Sequence, residues 1–136
     1  MTVVVGYVPT REGRAALTAG LAEAARCAER VVVLDNRRAD PDDPQPQATS
    51  ARALEELRPE VEQALGPGGP GYDLRALSPG AEPSDDLLAV AADERARLVV
   101  IGLRRRTPVG KLILGSGAQK ILFDAPCPVL AVKPTP

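Results

Sequence analysis

Short aliphatic runs alternate along this chain with longer stretches in which apolar residues return every third or fourth position. The run "TVVVGYV" (residues 2 to 8) is β-branched and almost uncharged, which predicts a strand. From Glu12 to Ala28, the residues Leu17, Leu21, Ala24, Ala25 and Ala28 recur at helical spacing, with Thr10 as N-cap. Further strands are predicted at "RVVVLDN" (30 to 36), "LVVIG" (98 to 102) and "PVLAVK" (128 to 133). "GYDLRAL" (71 to 77) alternates more and predicts a less buried strand.

The stripe Leu54, Leu57, Val61 and Leu65 predicts a helix over 51 to 65, which Pro59 either kinks or restarts. Residues 83 to 95 carry proline near the start, acids in the first turn and arginine at the end, as a helix dipole favours. "SGAQKILF" (116 to 123) predicts a short helix, with Ser116 either its cap or a hydroxyl donor. "RRADPDDPQPQATS" (37 to 50) reads as a mobile connector and "GPGGPG" (66 to 71) as a turn. Strands apolar on both faces, separated by helices, indicate a parallel sheet covered on both sides. The expectation is one α/β domain over residues 1 to 136, an α/β/α layer with a five-stranded parallel sheet.

Composition narrows the chemistry. Aromatic residues make up 2%, so the core must be aliphatic. A formal net charge of -1 gives no bulk attraction to nucleic acid, and no nucleic-acid partner is expected. The chain contains no histidine, which removes Ser-His-Asp and Cys-His nucleophiles and histidine metal sites. Cys27 and Cys127 lack metal or redox spacing and read as packing residues in a reducing compartment. No basic leader or long apolar stretch precedes the first strand, so neither secretion nor a membrane is expected, and the cytoplasm is the default location.

In sheets of this kind, ligands sit at the carboxyl ends of the strands, near the switch in strand order. The loops after Tyr7, Leu34 and Gly102 are therefore the candidates. From Gly102 to Phe123 the chain has basic residues at Arg104, Arg105, Arg106, Lys111 and Lys120 and no acid before Asp124. Gly102 allows close approach, and Gly115 with Ser116 opens a helix whose free N–H groups suit an anion. A solvated charged loop followed by an ordinary cap would read the same way. The "GK" at Gly110 and Lys111 is not a Walker A motif, because Arg105 and Leu112 stand where glycine and Ser or Thr are needed.

The spacing of Gly102, position 105 and the Gly115, Ser116 pair resembles the G-x2-G-x9-G-[S/T] signature of the universal stress protein (UspA-like) family. "VVVGYVPTREGRAAL", "ARLVVIG" and "APCPVLAV" resemble that family's opening strand and helix, fourth strand, and last turn and strand. The resemblance implies a Rossmann-like sheet, a homodimer paired through the last strand (128 to 133), and signalling or stress-survival work without general catalysis. In one branch of the family it implies bound ATP or another adenine nucleotide, with Mg²⁺ carried by the phosphates, ADP and AMP being alternatives. By position, Gly102, Gly115 and Ser116 would meet phosphates and ribose, and Val33 would hold the adenine through its backbone.

Two positions depart from the pattern. Arg105 replaces the second glycine, costing about 1 kcal/mol if positive φ is needed there, or gripping phosphate through its guanidinium if it is not. Val8 stands where nucleotide-binding members have aspartate, and the lost hydrogen bond is worth roughly 1 to 2 kcal/mol. Two functions remain in view. One is an adenine-nucleotide-binding signalling module. The other is a non-nucleotide-binding stress protein acting through dimerisation and protein contacts. A phosphoryl-accepting receiver fails, since only Glu12 follows the first strand. An ATPase reading rests on Asp35, which reads better as a turn or cap with Asn36.

Overall fold

Successive residues of a strand face opposite sides of a sheet, so an aliphatic run with no polar alternation must be covered twice. In the computed structural model, which describes residues 1–104 and 114–134, this is what happens. The elements follow as β1 (Thr2–Tyr7), α1 (Arg11–Cys27), β2 (Arg30–Asp35), α2 (Pro46–Leu65), β3 (Tyr72–Arg75), α3 (Pro83–Asp93), β4 (Leu98–Gly102), α4 (Ser116–Asp124) and β5 (Val129–Val132). The strands form one parallel five-stranded sheet in the order β3-β2-β1-β4-β5. Val3, Val5, Val31, Val33 and Val100 pack on one face against Leu17, Leu21 and Ala24 of α1 and Leu54, Leu57 and Val61 of α2. Val4, Val32, Leu34, Val99 and Ile101 pack on the other against Leu87, Val90 and Ala91 of α3 and Ile121 of α4. Truncating a central residue such as Leu17, which is 0% exposed, to Ala costs about 3 kcal/mol in a core packed this closely.

The chain winds from β1 outward through β2 to β3, then returns across the sheet to β4 on the far side of β1. The direction of winding reverses between β1 and β4, and the loops leaving those strands diverge there.

Two expectations are corrected. The connector was expected to reach residue 50, but α2 begins at Pro46, whose fixed φ suits a first helical position. Ser50 in its second turn is fully buried: its hydroxyl donates to Asp35 Oδ2 at 2.6 Å and accepts from Leu77 N–H at 3.0 Å. The helix does not restart at Pro59: α2 runs through it as one helix. Pro59 is on the solvent side, where the carbonyl it leaves unpaired can meet water, while the buried stripe on the other side holds both halves.

Where the strands begin, charges are matched closely. Arg97 Nε donates to both carboxylate oxygens of Glu29 at 2.7 and 2.8 Å, and its Nη2 reaches Glu23 at 3.0 Å. Glu94, just past α3, accepts from Arg30 at 2.8 Å and also pairs with Arg75. The Arg97 guanidinium holds the Glu29 carboxyl below the usual carboxylate range.

Candidate functional site

Where the strands end, at the point of reversal, a cleft of about 580 Å³ opens between the β1, β2 and β4 ends and the starts of α1, α3 and α4. That size suits a small-molecule ligand. Glycines from two strand ends, Gly6 and Gly102, are among the residues that line it. A Cβ at Gly102 would strike the backbone of Glu12, so only glycine lets the first turn of α1 sit against the end of β4. Gly6 also lines the cleft, with the side chains of Leu87, Asn36 and Ile101 closest to where its Cβ would stand.

Each helix start is built locally. Thr10 takes extended backbone at the start of α1, and its hydroxyl accepts from Gly13 N–H at 3.2 Å, as the spacing predicted. Glu82 caps α3, its carboxylate accepting from Asp85 N–H at 3.2 Å and from the Ser84 hydroxyl. The Ser84 hydroxyl holds the Glu82 carboxyl below its ordinary range. At α4 the cap is Gly115, not Ser116, with no side-chain cap bond. The first helical bond runs from Gln119 N–H to Gly115 C=O at 3.0 Å, which leaves the N–H groups of Ser116, Gly117 and Ala118 without intrahelical acceptors. α3 and α4 start close together, tied by the Lys120–Asp85 ion pair.

The cleft's charge is mixed rather than cationic. Glu12 lies 3.6 Å from Arg104, and Arg38 lies 3.8 Å from Glu82. These are looser than the Arg97–Glu29 and Arg30–Glu94 pairs at the opposite end of the sheet. Asp35 does not line the cleft: it is 0% exposed beneath it, bridging Arg37 Nε at 2.8 Å and Ser50 at 2.6 Å. The turn role read from sequence agrees with its acceptance from Arg37 N–H at 3.3 Å.

Of the residues singled out in the sequence, Gly102, Gly115 and Ser116 come together in the cleft, with Val8, Thr10 and Arg104 beside them. Arg105, Arg106 and Lys111 lie outside the described residues. Val33 does not line the cleft. It sits inside β2 with Val5 beside it on β1 and Leu74 on β3, because the strand continues to Asp35. Asn36, Arg37 and Arg38 stand at the β2 end instead. Sequence reasoning also passed over Glu82, Pro83 and Ser84 as site residues, although the signal was there. The helix after β3 must start at the same end of a parallel sheet as the helices after β1 and β4.

Both cysteines are unpaired and half-buried, and burial pushes each thiol up, away from nucleophilic use. Among the described residues no group of His, Cys, Asp and Glu has metal-holding geometry. No described helix is long and apolar enough to cross a membrane.

A doubly wound sheet with its cleft at the switch point places this chain among the Rossmann-like α/β proteins. A sequence profile described as the universal stress protein family matches residues 1–133. A universal stress protein of Mycolicibacterium smegmatis is 40% identical over 132 residues, covering 97% of each chain. The chain therefore belongs to the universal stress protein family. A solved universal stress protein from Archaeoglobus fulgidus superposes with a TM-score of 0.77 at 26% identity over 97% of each chain. A universal stress protein solved in complex with cAMP matches with a TM-score of 0.73 at 26% identity, over 99% of this chain and 98% of that one.

Proposed function

We propose that this chain is an adenine-nucleotide-binding stress-response module, with ATP as its ligand and ADP or AMP as alternatives. One observation carries the reading. The starts of α1, α3 and α4 converge on the glycine end of β4, so positive dipole ends, and at α4 uncapped N–H groups, face one cleft of nucleotide size. Phosphates sit on Gly102, Gly115 and Ser116, with Arg104 and Arg105 supplying charge, and Mg²⁺ arrives with the phosphates. The cAMP complex of a relative supports an adenine ligand. The cleft acids are engaged in caps and pairs rather than poised over a reacting group, which favours binding over catalysis. The unpaired cysteines accord with a cytoplasmic setting.

Isothermal titration with ATP, with and without Mg²⁺, tests this. Saturable micromolar binding that is lost in Gly115→Glu supports it. No heat at millimolar ATP, from protein free of co-purified nucleotide, overturns it.

The second part of the proposal is a homodimer through β5. That strand ends the sheet, and the neighbouring apolar side chains Leu130 and Phe123 are 40% and 84% exposed. An apolar edge of this kind is stabilised by strand pairing with a second copy. Light scattering should show a dimer for the wild type and a monomer for Ala131→Pro. A monomeric wild type at micromolar concentration refutes the pairing.

A further inference from the structure

Resting on the nucleotide reading above, we infer that Glu12 sorts ligands by charge at the phosphate end of the cleft, holding back a free triphosphate more than a monophosphate. The backbone places it there. A Cβ on Gly102 would strike the Glu12 carbonyl and stand 3.0 Å from the Glu12 Cβ, so the first turn of α1 lies directly on the end of β4. Glu12 lines the cleft together with Gly102, Gly115 and Ser116, the residues proposed to carry the phosphates.

Among the described residues that line the cleft, each arginine already stands with a carboxylate. Arg37 Nε is held by Asp35 at 2.8 Å, Arg38 lies 3.8 Å from Glu82, and Arg104 Nε lies 3.6 Å from Glu12. Beyond these pairs, the helix starts attract an anion, each equivalent to about half a positive charge. A monophosphate brings about two negative charges and a triphosphate roughly twice that. The excess of the triphosphate meets the one carboxylate seated on Gly102.

The Glu12 side chain is 17% exposed and that of Arg104 64%, and their separation is longer than a hydrogen bond. A partly buried carboxylate is screened less by water and salt than an exposed partner. Glu82 also lines the cleft, but its carboxylate is tied into the α3 cap by the Ser84 hydroxyl and Asp85 N–H. Repulsion that grows with ligand charge therefore falls on Glu12. Neutralising the phosphates with Mg²⁺ reverses its effect, because a carboxylate oxygen is a ligand this ion takes beside phosphates. Among the described residues no cluster of His, Cys, Asp and Glu would hold the ion without those phosphates.

The test is calorimetric titration of the full chain with AMP and ATP in EDTA, and with ATP in excess Mg²⁺. In EDTA, Glu12→Gln should bind ATP about tenfold more tightly than wild type does, and AMP more tightly by a smaller factor. A misfolded variant could not gain affinity. Excess Mg²⁺ should raise the ATP affinity of wild type by a larger factor than that of Glu12→Gln. Glu12→Asp keeps the charge and should sort the ligands as wild type does. If Glu12→Gln gains nothing for ATP in EDTA, or gains equally for AMP and ATP, charge sorting by Glu12 is overturned while nucleotide binding stands. If neither wild type nor Glu12→Gln binds AMP or ATP under any of these conditions, the nucleotide reading falls and this inference with it.

Discussion

The two ends of the sheet are built on opposite principles. Where the strands begin, Arg97 is held bidentately by Glu29 and again by Glu23, and Glu94 joins Arg30 to Arg75. Where the strands end, two pairs on the cleft, Arg104 with Glu12 and Arg38 with Glu82, stand 3.6 and 3.8 Å apart, and Asn36 and Arg37 each carry a buried polar atom with no partner among the described residues. A strand end left partly unsatisfied is less stable than one fully paired. Closed pairing holds one end of the sheet, and incomplete pairing leaves the other with the groups that the proposed ligand would complete. Asp35 is the exception that defines the border. It lies just under the cleft, yet it is completely satisfied, which keeps the β2 end rigid beneath its open rim.

The largest way to break this contrast is to unpair that border. Asp35→Ala strands the Ser50 hydroxyl and the Arg37 guanidinium, and should cost about 3 kcal/mol in urea unfolding. An unchanged unfolding midpoint would mean that Asp35 does not anchor the β2 end. Next comes Gly102→Ala, whose Cβ strikes the Glu12 backbone. It should cost about 2 kcal/mol by overpacking and also abolish ATP binding, since it forces α1 away from β4. A variant that loses stability but binds normally would show that the start of α1 plays no part in the site.

A smaller effect is expected on the rim. Arg38→Ala should change stability by no more than about 0.5 kcal/mol, because Arg38 is 75% exposed and its pair with Glu82 is long. Its ATP affinity should fall, and fall less as salt is raised. A stability loss comparable to that of Asp35→Ala would erase the distinction between rim and border.

The finest test is pH, which reads only a slope at the closed end. The Arg97 guanidinium depresses the Glu29 carboxyl, so the contribution of this pair is complete above the ordinary carboxylate value and is lost as pH falls through the lower folded value. The stability difference between wild type and Glu29→Gln should therefore shrink as pH drops below about 4. A difference that stays constant across that range would show that the pair is not what stabilises this end.

Much of this arrangement was legible from spacing. The strand Leu98–Gly102 and the cap at Thr10 stand where periodicity and capping chemistry placed them. Gly102, Gly115 and Ser116 were flagged from a strand end and a helix start, and they do meet. The failures have particular causes. Pro46 was read as connector because a proline at a helix start and a proline in a loop look alike until the Ser50 hydroxyl is seen bonded to Asp35 and Leu77. Val33 came from the family resemblance, and it lies inside β2, which continues to Asp35, rather than on the cleft. The Arg-rich stretch suggested a purely cationic site, but Glu12 and Glu82 arrive from distant segments and make the field mixed.

By itself the sequence determined the elements, their alternation and the aliphatic two-faced core, because these follow from local propensity and from the period of apolar residues. It also determined that histidine chemistry is absent. Only the tertiary structure decided the strand order, and with it the crevice between β1 and β4 where the winding reverses. It alone decided that Asp35 is buried and bound while Oδ1 of the neighbouring Asn36 is buried with no partner among the described residues. Adjacent residues in a chain share nearly the same local pattern. Whether a polar atom finds a partner depends on which distant segments the fold brings within about 3 Å of it.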